Sequence, residues 1–186
     1  MDDLNRKKGL ISQVKIKDES GKLYKLTPDK IKYMYLAPSG LDKVGKALDV
    51  LTDATKWNDE KLDQDLIKQG YVYIEQSEVM LKKKKMVLLM QLLNPTSSKE
   101  VKIYHDPLAK ETASVGIGGI NVAGGDAKSY FVKKGNGVAV KLEKKDYKKS
   151  FKELWGDCAD MMSKYGDNPK WLDLAKHALE YCECKK

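Results

Sequence analysis

The residues of this chain that could do chemistry are two histidines, three cysteines, a glycine-rich run and a set of tyrosines. The glycine run, VGIGGINVAGGDAKSYF at 115–131, has the look of a phosphate-cradling loop. A dinucleotide fingerprint needs a strand, then G-x-G-x-x-G, then a helix whose N-terminus meets the pyrophosphate. Gly116 and Gly118 fit the first two positions, but Asn121 stands at the third, and the strand-like KSYFVKK follows in place of a helix. No Gly-Lys-Ser/Thr triplet supplies a P-loop. The run therefore reads as a connection or hairpin with Val115, Ile117, Ile120 and Val122 in its edges, and no cofactor is implied.

His105 precedes Asp106-Pro107 at a strand end, where the carboxylate could orient the imidazole for general-base work. A polar pair closing a strand is the plainer reading. His177 falls on the polar side of the last helix, opposite a Trp171–Cys182 face, and reads as solvated. No H-E-x-x-H or C-x-x-C pair offers metal ligands, so no metal is expected. The acidic run Asp59–Asp65 lacks the central glycine and terminal glutamate of a calcium loop. No serine sits in a G-x-S-x-G elbow. Tyr33, Tyr35, Tyr71, Tyr73, Tyr104 and Tyr130 all fall on expected strands. Aromatics on a sheet can floor a groove for a sugar or lipid headgroup, and Tyr33, Tyr35, Tyr71, Tyr73 and Tyr104, with His105, are the candidate ligand-binding set. Tyrosine is also simply a good strand residue.

Cys158 and Cys182 lie on the apolar faces of two terminal helices that a short turn would lay antiparallel. Packing those faces could bring the sulfurs within bonding reach, and a bridge closing such a loop adds roughly 3 kcal/mol on the chain-entropy model. Cys184 is an alternative partner, and three reduced thiols are the competing reading.

The elements that must position these residues are readable in outline. Ile11–Lys17 and Leu23–Leu26 read as strands around the turn DESG. KIKYMYL is a third strand, with Ile31, Tyr33 and Tyr35 on one face. Ser39 caps a helix with the stripe Leu41, Val44, Leu48, Leu51. A second helix runs from an Asn58 cap to a Gly70 exit, with Trp57 and Leu62 as a hydrophobic staple. YVYIEQ, EVML and MVLLMQLL return to strand, with Lys82 to Lys85 as a charged turn or strand end. EVKIYH is another strand, and KSYFVKK and VAVKL form a hairpin around Gly135-Asn136-Gly137. One amphipathic helix then carries Tyr147, Phe151, Leu154, Trp155, Cys158, Met161, Met162 and Tyr165. A last helix is capped by Asn168 with Pro169 in its first position.

The expected fold is α+β: a bent antiparallel sheet or partial β-barrel with two inserted helices and a C-terminal helical hairpin packed through Phe151, Trp155 and Trp171. A β-rich body over 1–142 and a helical hairpin over 143–186 form one structural domain in this reading. The 186 residues suffice for one good core. No apolar run reaches 18 residues, so no membrane-spanning helix is expected. Met1-Asp2-Asp3-Leu4 has neither the basic start nor the apolar core of a leader, which fits a cytosolic protein or a mature form without one. The net charge of +8 is almost all lysine, with Arg6 the single arginine. Nucleic-acid readers lean on arginine for bidentate contacts, so no nucleic-acid partner is expected. Weak contact with an anionic lipid or polymer through Lys82, Lys83, Lys84 and Lys85 is compatible with the composition.

The C-terminal VKLEKKDYKKSFKELWGDCADMMSKYG resembles the tail of many small, uncharacterised exported proteins of Bacteroidetes bacteria. In those, a strand hairpin runs into a K-K-x-[FY]-K-K…L-[FW]-x-D-C helix, and a further cysteine closes the chain. SYFVKKGNGVAVKL and GLISQVKIKDESGKLYKLTPDKIKYMYL are similar to the same group, so the likeness touches about half the chain and is strongest over 129–158. It implies an export signal removed on maturation, a periplasmic, outer-membrane-associated or secreted location, and pairing of Cys158 with Cys182 or Cys184. The group carries no assigned activity to transfer. The resulting expectation is a non-enzymatic envelope or secreted protein that binds a small ligand or an envelope protein partner. The alternatives are a hydrolase-type enzyme using His105 and Asp106, and a lysine-mediated binder of anionic lipid or polymer.

Overall fold

The computed structural model describes residues 3–37, 62–95, 97–109 and 127–185. The chain is α+β, with three small antiparallel sheets and a C-terminal helical layer. The first sheet has the order β1 (Asp3–Lys7), β2 (Leu10–Lys17), β3 (Leu23–Leu26). β1 was not expected, because LNRK offers only Leu4 to a core. Its return through Lys8 and Gly9, both at positive φ, is what makes it a strand. A 3₁₀ turn over Pro28–Lys30 then leads to β4 (Tyr33–Leu36). That turn resets the alternation, so Ile31 packs with Val14 and Leu89 rather than sharing a face with Tyr33 and Tyr35.

The expected helix at Ser39–Leu51 and the Asn58 cap with its Trp57 staple lie outside the described residues, as does the glycine run up to residue 126. The helix that is described, α1 (Gln64–Lys68), begins at an Asp63 cap whose carboxylate accepts from the N–H groups of Asp65 and Leu66. It does end at Gly70, as the sequence indicated. The N–H of Gly70 bonds the Ile67 carbonyl and that of Tyr71 the Leu66 carbonyl, the pair of bonds that closes a Schellman exit.

The second sheet is β4–β5–β6, with β5 (Val72–Leu81) and β6 (Lys84–Gln91) joined by the turn Lys82-Lys83. The third is β7 (Val101–His105), β8 (Ser129–Lys134) and β9 (Val140–Glu143). Two bridges tie these sheets together, Leu92 to Tyr104 and Val79 to Ala139. The result is three small antiparallel sheets, the second and third linked by these bridges, in place of the single bent sheet or partial barrel expected. Asn94 fixes the β6–β7 connection, since its amide donates to the Ser97 and Val101 carbonyls and accepts from the Ile103 N–H while fully buried.

The expected C-terminal hairpin is three helices. The long helix is broken into α2 (Tyr147–Trp155) and α3 (Ala159–Tyr165), because Cys158 takes an extended backbone at the start of α3. Asn168 and Pro169 do not begin the last helix. A 3₁₀ turn over Trp171–Asp173 comes first, and α4 is Leu174–Cys184. Phe151, Trp155 and Trp171 do pack on the third sheet, in one cluster with Val101, Ile103 and Val132. Of the two pairings left open, the structure has Cys158–Cys184, and Cys182 is a buried thiol outside the bridge whose Sγ donates to the Ser97 carbonyl.

Candidate functional site

The tyrosines converge on one face. β4 pairs with β5 so that Tyr35 lies opposite Tyr73 and Tyr33 opposite Glu75, and cross-strand partners share a face. Their rings form a three-membered group. Centroids are 5.1 Å apart for Tyr35 and Tyr73, 5.8 Å for Tyr33 and Tyr73, and 6.2 Å for Tyr33 and Tyr35. The group is stepped: Tyr73 is buried, Tyr35 half-buried, and Tyr33 58% exposed. The Tyr35 hydroxyl accepts from the Asp63 N–H at 2.8 Å, which pins the start of α1 to the edge of this face.

Beside the rings stands a polar group drawn from both sheets. Glu75 receives Lys102 Nζ on both carboxylate oxygens, at 2.7 and 2.8 Å, and the Tyr104 hydroxyl at 2.6 Å. Tyr104 is fully buried, and burial followed by the adjacent Glu75 charge pushes its phenol far above the ordinary value, so it stays a donor. Lys102 and Glu75 keep partial access to solvent. Chemically, this is an apolar step of aromatic rings flanked by a carboxylate and an ammonium already held in place. Such a surface suits a ligand with one flat apolar face and hydroxyls at its rim.

Two members of the expected set lie elsewhere. Tyr71 serves the exit of α1 and makes no ring contact among the described residues. His105 lines a separate cavity of about 120 Å³ with Arg6, Gln91 and a floor that includes Ile11, Ile74 and Leu89. Asp106 does not line that cavity. Its carboxylate is 1% exposed and accepts from the Leu108 N–H, from Ser129 Oγ and from Lys141 Nζ at 2.7–2.9 Å. Successive residues leaving a strand face opposite ways, which separates the His-Asp pair that the sequence suggests.

His177 overturns its expectation. It is fully buried on α4 between α2 and α3, against the rings of Tyr147, Phe151 and Tyr165. Trp155 Nε1 can only donate, and it donates to the Tyr147 oxygen at 3.3 Å. The Tyr147 hydroxyl shares a further hydrogen bond with His177 Nδ1, at 2.6 Å. Nε2 has no hydrogen-bond partner among the described residues. Burial lowers the His177 pKa to about 4, against the pull of Asp173 and Glu180 and with the help of Lys176 and Lys164. The imidazole is a neutral core residue.

Around the disulfide, Asp157 collects Lys134 Nζ at 2.9 Å, Lys185 Nζ at 2.8 Å and the Tyr181 hydroxyl at 2.8 Å. Partial burial works against ionisation there, but the bonds from Lys185, Lys134 and Tyr181 outweigh it and hold the carboxyl well below its usual range. Among the described residues no group of three His, Cys, Asp or Glu side chains converges as a metal site would require. No helix among them is long and apolar enough to cross a membrane. No family profile, no curated protein and no solved structure gives a significant match to the chain.

Proposed function

We propose that this chain is a non-enzymatic, extracytoplasmic binding protein whose tyrosine face receives a sugar unit of a larger glycan. The observation that carries this reading is the stepped Tyr33–Tyr35–Tyr73 group beside the Glu75–Lys102 pair. An exposed tyrosine is paired with preset charged hydrogen-bonding groups, so a pyranose can lay its C–H face on the ring and its hydroxyls on the carboxylate and ammonium. Stacking and hydrogen bonds of this kind bind without a reacting nucleophile. The separation of His105 from the Asp106 carboxylate favours this reading over a hydrolase built on that pair.

The extracytoplasmic part rests on the Cys158–Cys184 bridge, because disulfides persist in oxidising compartments. Periplasmic, outer-membrane-associated and secreted locations all meet that condition. The test has two arms. Protein taken from its own host and unfolded in alkylating agent without reductant should take up label on one cysteine; labelling of all three would remove the compartment argument. An array of neutral and acidic oligosaccharides should retain the wild-type protein on a subset of sugars, and retention on none would end the glycan reading.

A further inference from the structure

The turn between β5 and β6 is a second surface, at the opposite end of β5 from the tyrosine face. Register pairs Leu81 with Lys84, so Lys82 and Lys83 alone make the loop, and both have positive φ, 48° and 68°. A two-residue hairpin of this type favours Asn-Gly or a similar pair, because L side chains are strained in left-handed backbone. The chain uses glycine in the matching turn between β1 and β2, Lys8-Gly9, at φ 51° and 81°. There glycine is also needed sterically, since a Cβ on Gly9 would lie 3.1 Å from the Pro107 carbonyl oxygen. Nothing comparable crowds the β5–β6 tip, where residues 82–87 are all exposed. Local folding preference thus argues against Lys-Lys, and charge is what the two residues supply instead.

Lys84 and Lys85 extend the charge, and none of the four ammoniums forms an ion pair with a described residue. Directly behind them Met86 and Val87 are 42% and 44% exposed, and across the ladder Met80 and Leu81 are half-buried. Glu78, opposite Val87, is the one acid in this stretch. Val140 adds a further exposed apolar group on β9, next to the Val79–Ala139 bridge. A projecting tip with cations foremost and exposed Met86, Val87 and Val140 behind matches one chemistry well. The ammoniums meet headgroup phosphates, and the apolar side chains enter the boundary beneath them.

We infer that the Lys82–Lys85 hairpin docks the protein on an anionic lipid bilayer. A soluble polyanion would engage the lysines but would leave Met86 and Val87 in water, so the apolar half of the tip selects the bilayer. The reading stands independently of the glycan face, whose residues it does not use.

The experiment is co-sedimentation of the full chain with phosphatidylcholine–phosphatidylglycerol vesicles, against phosphatidylcholine alone. Binding to the mixed vesicles should weaken steeply between about 50 and 300 mM salt and be absent on the neutral ones. The double variant Lys82→Asn, Lys83→Gly removes two charges while relieving the turn. It should melt about 2–4 °C higher than wild type and bind the mixed vesicles about thirtyfold more weakly. Met86→Ser with Val87→Thr should weaken vesicle binding while leaving its salt dependence unchanged. Unaltered vesicle binding in the Asn-Gly variant, with its melting temperature raised, would reduce the lysines to a turn and overturn the inference. Equal binding of the Met86, Val87 variant, or binding to immobilised dextran sulfate as tight as to vesicles, would overturn the bilayer as the partner.

Discussion

The C-terminal core and the β4–β5 face are both aromatic, and each sets a tyrosine hydroxyl against a titratable neighbour, yet they treat water differently. In the core, Trp155, Tyr147 and His177 form a buried hydrogen-bonded chain, and the imidazole is kept neutral by burial. In the face, Tyr104 donates to Glu75, which is paired with Lys102 and keeps access to solvent. The first arrangement specifies packing and leaves no group to offer a ligand. The second leaves a ring and two charges at the surface. A buried aromatic cluster and an exposed one can therefore be told apart by where their hydrogen bonds end, inside the protein or at its boundary.

The largest effect expected is from Trp155→Ala, which empties the centre of the C-terminal core. A loss of about 3–5 kcal/mol in denaturant unfolding is predicted, with glycan binding retained wherever the variant is folded. A smaller change would mean that α2 and the third sheet collapse into the space. Next is the disulfide. Cys184→Ser opens a loop with a sequence separation of 26 and should cost about 3.5 kcal/mol on the chain-entropy model. An unchanged melting temperature in non-reducing buffer would show that the bridge does not form.

His177 has a folded pKa of about 4 against an ordinary value near 6.5, so the unfolded chain binds the additional proton between these limits. The stability contribution is complete above about pH 6.5 and is lost as pH falls towards 4, by about 3 kcal/mol in all. Urea titrations at intervals over that range check it, with His177→Gln as the control that should flatten the slope. A slope that survives in the control would place the titrating group elsewhere.

Much of the sheet structure was legible because alternation and turn residues act locally. Tyr33 and Tyr35 could be placed on one face from spacing alone, and the Gly135 hairpin from its turn residues. The association of Glu75, Lys102 and Tyr104 could not, because it depends on bridges between sheets far apart in sequence. The break in the long C-terminal helix was hidden for another reason. Apolar spacing runs through Gly156–Cys158 as though the helix continued, and only the extended backbone at Cys158 interrupts it. His177 was misplaced because α4 is buried over a wider arc than one face, so that Ala175, Leu179 and Cys182 are buried as their spacing from Trp171 suggests and a second row is buried beside them. Counted from Leu174, the residues Leu174, His177, Ala178 and Tyr181 fall at i, i+3, i+4 and i+7, and all four are buried.

Tyr33 decides whether the tyrosine face is built to bind while the C-terminal core is built to pack. The glycan best retained on the array would be titrated calorimetrically into wild type and Tyr33→Ala, with melting temperatures recorded on the same samples. Loss of one exposed stacking ring should weaken binding about tenfold or more and change stability by less than about 1 kcal/mol. Equal affinity in the two proteins would contradict the claim and return Tyr33 to an ordinary strand residue.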